Sequence, residues 1–151
     1  MIPDCLLSPA RFVPGAALLA ILTATLACGP SSGAPFLDDL WCADEASCQT
    51  REDPFTLTLA VNFSDPDGDL GTGTYSVYVD GLRTDGPNLL WKHFEAAGLA
   101  MNATEGTLVL PAPVQLTGIY SGKTFIVGID VRDEAGNQSN RPGIRFRILL
   151  D

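Results

Sequence analysis

The sequence contains few of the residue types from which most enzyme and nucleic-acid sites are built. It has a single histidine, and its 9 basic residues are outnumbered by 18 acidic ones, which gives a formal charge of -9. That sign opposes binding to the phosphates of nucleic acids and to an anionic membrane surface. It suits a divalent cation, and we expect no nucleic-acid partner.

The usual motifs of acyl transfer, zinc hydrolysis and nucleotide chemistry are absent. The sequence contains no Gly-x-Ser-x-Gly, His-Glu-x-x-His or phosphate-loop pattern. His93 has no carboxylate or nucleophile at a recognisable spacing, so we expect it to pack or to lie at the surface. We therefore predict that the chain is not an enzyme and has no catalytic residues.

The first 27 residues have the features of an export signal. Arg11 precedes an uncharged apolar run from Phe12 to Ala27, and small residues flank Cys28. The run is shorter than the ~20 residues that a helix needs to cross a bilayer. We expect cleavage after Ala27 rather than a membrane span.

The stretch Thr25-Leu26-Ala27-Cys28 resembles the lipobox of bacterial lipoproteins, although the family prefers leucine where Thr25 stands. The resemblance implies that Cys28 becomes the first mature residue and carries several acyl chains, palmitate among them, as a membrane anchor. Gly29 in the next position resembles the lipoproteins passed on to the outer membrane of a diderm bacterium. The alternative is a secreted protein whose signal happens to contain a cysteine.

Behind the lipobox, residues 28–35 are dominated by Gly, Pro and Ser and predict a flexible tether. Residues 36–151 are the length of one domain. Because an exported chain meets an oxidising compartment, we predict a disulfide between Cys42 and Cys48. A metal site there would need two more ligands, and the chain has one histidine.

The domain alternates apolar and polar residues as β-strands do. In Phe55–Phe63 the odd-numbered residues are apolar, and the same period of two recurs in Thr74–Asp80, Lys123–Val131 and Ile144–Leu150. Weaker patterns predict an edge strand at Phe36–Trp41 and a strand at Thr107–Leu110 that stops at Pro111 and Pro113, with a continuation at Val114–Leu116. Residues 82–106 fit either a strand or a helix.

Short strands separated by turn signals, without a sustained helical period, predict an all-β fold: an antiparallel β-sandwich of about seven strands. Three stretches, Val61–Asp69, Tyr78–Gly81 and Val131–Asn137, resemble bacterial immunoglobulin-like (Ig-like) domains, including the PKD-like and cadherin-like ones of exported proteins. The resemblance implies one Ig-like sandwich that acts as a binding or structural module of the cell envelope.

Two acidic loops follow predicted strands. One contains Asp65, Asp67 and Asp69, and the other contains Asp133 and Asn137. If successive strands are antiparallel, the loops share one end of the sandwich, where their oxygens predict a calcium site. The alternative is turn chemistry alone, with each Asp capping its own backbone.

Four aromatic residues, Tyr75, Tyr78, Trp91 and Phe94, raise a second functional hypothesis. Together they would form a platform for a glycan, and the chain would be a carbohydrate- or calcium-binding accessory domain of an envelope system. Core and cross-strand packing is the alternative explanation of the same residues. An envelope protein is the other partner that an Ig-like module would bind.

Overall fold

The computed structural model describes residues 33–44, 48, 55–115 and 123–147. Within these ranges the chain forms seven strands: β1 (Phe36–Cys42), β2 (Phe55–Ser64), β3 (Thr74–Val79), β4 (Leu82–Leu89), β5 (Glu105–Val114), β6 (Thr124–Arg132) and β7 (Gly143–Arg147). They pair into two antiparallel sheets, one in the order β1-β2-β5 and the other in the order β4-β3-β6-β7. We name these the three-stranded sheet and the four-stranded sheet.

The predicted inward faces of β2, β3 and β6 are confirmed. Their buried residues are Phe55, Leu57, Leu59, Val61, Phe63, Tyr75, Val77, Val79, Phe125, Val127, Ile129 and Val131. The Phe125 ring lies 6.0 Å from that of Phe55 on the other sheet, and both side chains belong to one apolar core. Two antiparallel sheets that share a core are compatible with the predicted β-sandwich.

The strand that was predicted to stop at Pro111 and Pro113 runs through both of them. β5 is the edge of the three-stranded sheet, and these prolines lie opposite Thr58 and Thr56 of β2. A proline is tolerated on an edge strand when its missing N–H faces away from the ladder. The continuation as far as Val114 belongs to the same strand, and Leu116 lies outside the described residues.

Residues 82–106 contain both a strand and a helix. After β4 the chain forms α1 (Trp91–Ala96), whose Phe94 is 0% exposed and packs with its ring centroid 5.2 Å from that of Phe63. The N–H of Leu90 donates to the carbonyl of Gly73 at 3.1 Å. The helix thus closes one end of the core beside the 3₁₀ turn at Leu70–Thr72, which it contacts.

The predicted disulfide between Cys42 and Cys48 is present, with the two Cα atoms 5.9 Å apart. The export signal, Cys28, and the final residues Ile148 and Leu150 of the predicted last strand lie outside the described residues. In the part of the chain that the structure describes, no helix has the length and apolar character to cross a membrane.

The buried Tyr75 makes the stability of the core depend on pH in the alkaline range. It is 3% exposed, its hydroxyl donates to the carbonyl of Pro111 at 3.3 Å, and burial, with a contribution from the charge of Asp85, raises its pKa from 10.0 to about 12. Ionisation is therefore easier in the unfolded chain, so the stability that Tyr75 contributes below pH 10 is lost as the pH rises to 12.

We therefore expect the melting temperature of Tyr75→Phe to fall less than that of the wild type as the pH rises from 10 to 12. Thermal melts followed by circular dichroism at neutral pH and across this range measure the difference. An alkaline loss of the same size in the variant would contradict the assignment to Tyr75.

Candidate functional site

The structure brings the two acidic loops together at one end of the molecule. Asp65, Asp69 and Asp133 each offer a carboxylate oxygen, and these three oxygens all lie within 4.8 Å of one another. Asp65 and Asp69 follow β2 of the three-stranded sheet, whereas Asp133 follows β6 of the four-stranded sheet. We name these three residues the carboxylate cluster.

Asp65 is the buried centre of the carboxylate cluster. It is 0% exposed, and its Oδ2 accepts a hydrogen bond from the N–H of Leu70 at 2.9 Å. Its Oδ1 is also buried and has no hydrogen-bond partner among the described residues. Burying a carboxylate oxygen without a partner is costly unless a cation or a proton meets it.

Asp69 joins the two loops. Its Oδ2 accepts a hydrogen bond from the N–H of Ala135 at 3.2 Å, while its buried Oδ1 has no partner in the described part of the chain. Burial raises the pKa of the Asp69 carboxyl, and the negative charge of Asp133 raises it further. The N–H of Ala135 opposes this shift, and smaller contributions from Asp65 and Asp67 add to it. The cluster therefore has more negative charge than its own donors neutralise.

Asn137 positions Asp133. Its backbone N–H donates to Asp133 Oδ1 at 2.7 Å and its side-chain Nδ2 donates to Oδ2 at 2.8 Å. The carbonyl of Asn137 accepts a hydrogen bond from the N–H of Asp133 at 3.1 Å, which closes the loop. The predicted ligand Asn137 is thus a hydrogen-bond partner of a cluster member, and Asp133 is held with its carboxylate toward the other two.

Asp67 does not join the carboxylate cluster. The loop turns between Asp65 and Asp69, because the N–H of Gly68 donates to the carbonyl of Asp65 at 3.2 Å. This turn, with Gly68 at φ 70°, leaves Asp67 exposed beside Gly33. Of the three aspartates predicted in this loop, Asp65 and Asp69 therefore belong to the carboxylate cluster and Asp67 lies outside it.

The carboxylate cluster has the chemistry of a hard-cation site. Calcium takes six to eight oxygens, at about 2.3–2.6 Å, from carboxylates, carbonyls and water in irregular geometry. The buried Oδ1 atoms of Asp65 and Asp69 have no partner among the described residues, and Asp133 supplies a third carboxylate. Turn chemistry accounts for the hydrogen bonds of Asp133 but leaves these two atoms unexplained.

The predicted aromatic platform is not formed. Tyr75 and Phe94 are buried in the core, as the packing alternative predicted. Trp91 is 42% exposed beside Lys92, and the guanidinium of Arg141 covers the Tyr78 ring at 3.4 Å. No four-residue stacking surface results.

Comparison with known proteins gives no relative. No protein-family model matches the chain, and neither a curated protein nor a solved structure matches it. The functional argument therefore depends on the geometry of these residues.

Proposed function

We propose that the chain is a lipid-anchored Ig-like module of a bacterial cell envelope, and that a calcium ion ties its two acidic loops together. One observation carries the calcium assignment. Asp65 is 0% exposed, its Oδ1 has no hydrogen-bond partner among the described residues, and the carboxylate approaches those of Asp69 and Asp133. A cation at this point would link a loop of one sheet to a loop of the other.

The strand order supports the Ig-like assignment. When the strands are lettered A to G in chain order, the sheets read A-B-E and D-C-F-G. The constant-type immunoglobulin sandwich has A-B-E-D and C-F-G. The two arrangements differ in the position of D, which lies beside C here.

An extracytoplasmic location agrees with the chemistry of the domain. Disulfides such as Cys42–Cys48 persist in oxidising compartments. Calcium sites of extracellular modules bind with dissociation constants of about 10⁻⁴–10⁻³ M, a range that suits a site built from few protein ligands. In this proposal Cys28 supplies the lipid and residues 28–35 span the distance to the domain.

The anchor is tested by replacing Cys28 with serine. We expect Cys28→Ser to move the protein from the membrane fraction to the soluble fraction, because each lost acyl CH₂ removes ~0.8 kcal/mol of membrane affinity. Cell fractionation followed by immunoblotting measures the shift, and Cys5→Ser, within the signal, is the matched control and should stay with the membranes. Retention of Cys28→Ser in the membrane fraction would contradict the anchor.

A further inference from the structure

The outer face of the four-stranded sheet collects basic residues on an otherwise acidic chain. Because Val131 and Phe146 are buried, the residues next to them on β6 and β7 face outward. Of the 9 basic residues, this face holds Arg83, Arg132, Arg141, Arg145 and Arg147. The face therefore differs in charge from the end that holds the carboxylate cluster.

One acid on this face is already neutralised. Asp130 is buried, and its Oδ2 accepts hydrogen bonds from Arg141 Nη2 at 2.8 Å, Arg141 Nε at 3.2 Å and Gln138 Nε2 at 2.7 Å. The Arg141 side chain reaches Asp130 across Gly128, where a Cβ would meet Arg141 Cγ at 3.2 Å. Arg83 and Arg132, in contrast, lie within ion-pair distance of no described carboxylate.

These two free arginines flank a cavity of about 230 Å³. Arg83 of β4 lies opposite Tyr78 of β3, and Arg132 of β6 lies opposite Thr74 of β3. The usual strand spacing and rise per residue therefore place their backbones roughly 16 Å apart, at two ends of the cavity that both residues line. Between them the cavity is lined by Thr74, Ser76, Tyr78, Pro87, Asp130 and Gln138. The side chains thus offer two cationic forks, three hydroxyls and an amide to one small volume, beside an Asp130 carboxylate that Arg141 already pairs.

We infer that this cavity binds a carboxylate-bearing sugar unit. Arginine forks match the geometry of a carboxylate, and hydroxyl and amide groups exchange hydrogen bonds with sugar hydroxyls. The hydroxyls of Thr74, Ser76 and Tyr78 favour a ligand that also has hydroxyl groups, which inorganic phosphate at neutral pH provides less well than a sugar acid does. The inference rests on the proposed envelope role for the source of the sugar, an acidic envelope polysaccharide, and on the cavity for its chemistry.

The test is an NMR titration of the ¹⁵N-labelled full-length chain with three probes: methyl glucuronide, methyl glucoside and inorganic phosphate. We expect the glucuronide to shift the amide signals around Ser76 and Gln138, and to bind at least about tenfold more tightly than the other two probes, since only it provides both carboxylate and hydroxyls. Each titration is run in calcium and again in excess chelator.

Two substitutions test the arginines independently. Arg83→Gln and Arg132→Gln should each weaken glucuronide binding by about tenfold, the effect of removing one charge-assisted contact. Arg145→Gln, on the same face but outside the cavity lining, is the charge-matched control and should bind as the wild type does. Unchanged melting temperatures show that the variants are folded. If Arg132→Gln does not fold, the affinity of Arg83→Gln is the test.

Three results would overturn the inference: equal binding of glucoside and glucuronide, tighter binding of phosphate, or wild-type affinity in the folded arginine variants. Failure of the calcium or membrane proposal is distinguishable from these outcomes. Glucuronide binding that depends on Arg83 in excess chelator supports the cavity even if calcium does not alter the melting temperature.

Discussion

Chelating calcium should lower the melting temperature of the wild-type chain by roughly 11–22 °C, whereas the Asp65→Asn variant should melt at the same temperature with and without calcium. A ligand at 100 times its dissociation constant stabilises a fold by about 2.7 kcal/mol, and 1 kcal/mol shifts the melting temperature of a small domain by roughly 4–8 °C. Calcium at about 10 mM reaches that ratio for a site at the tight end of the extracellular range.

The physical reason lies in the surroundings of Asp65. An asparagine keeps an acceptor for the N–H of Leu70 but loses the charge that holds a cation beside the buried Oδ1. Asp67→Asn is the matched control, because Asp67 is an exposed residue of the same loop and lies outside the carboxylate cluster. It should retain the full calcium response.

The Asp69→Asn variant tests whether the charge of Asp69 destabilises the calcium-free fold. In chelator it should melt above the wild type, since it removes a charge that burial disfavours and that Asp133 and Asp65 repel, yet it should lose the calcium response. A wild-type melting temperature that is indifferent to calcium, or a calcium shift that survives in Asp65→Asn, would contradict the account. Differential scanning calorimetry of the four proteins measures all of these outcomes.

Phe94→Ala should destabilise the domain by about 3–5 kcal/mol, the usual loss when a fully buried phenylalanine is truncated. Phe94 is 0% exposed and packs on Phe63, and its helix α1 contacts the 3₁₀ turn at Leu70–Thr72. The N–H of Leu70 in that turn holds Asp65 Oδ2. The same substitution should therefore also weaken calcium binding.

Urea denaturation in saturating calcium measures the first effect, and a calcium titration of the folded variant measures the second. Trp91→Ala, on the same helix but 42% exposed, is the control and should change the stability by no more than about 0.5 kcal/mol. A loss below about 1 kcal/mol for Phe94→Ala would show that α1 is not needed to close the core.

The elements that could be predicted from the sequence are those in which period two and burial coincide. In β2 and β6 every second residue is apolar, so the buried face follows from the pattern itself. Helix α1 could not be distinguished from a strand, because its six residues are too few to establish a helical period. The path of β5 through Pro111 and Pro113 depends on its edge position, which is a property of the assembled sheet.

The candidate site, too, could be predicted only in part. The shared end of the two loops follows from antiparallel order, and Asp65, Asp69 and Asp133 do meet there. Asp67 lies outside the cluster because of a local turn. The backbone N–H groups that donate to Asp65 and Asp69 cannot be predicted from the pattern of side chains. The arginine-flanked cavity was missed because it requires β4 and β6 to lie on either side of β3.

Diffraction at a wavelength that reveals the anomalous scattering of calcium, from crystals of the full chain grown in about 10 mM calcium, tests the central claim most directly. The account predicts one peak that lies about 2.3–2.6 Å from oxygens of Asp65, Asp69 and Asp133. Crystals in which these oxygens bind no calcium, or in which the peak lies on other residues, would contradict it.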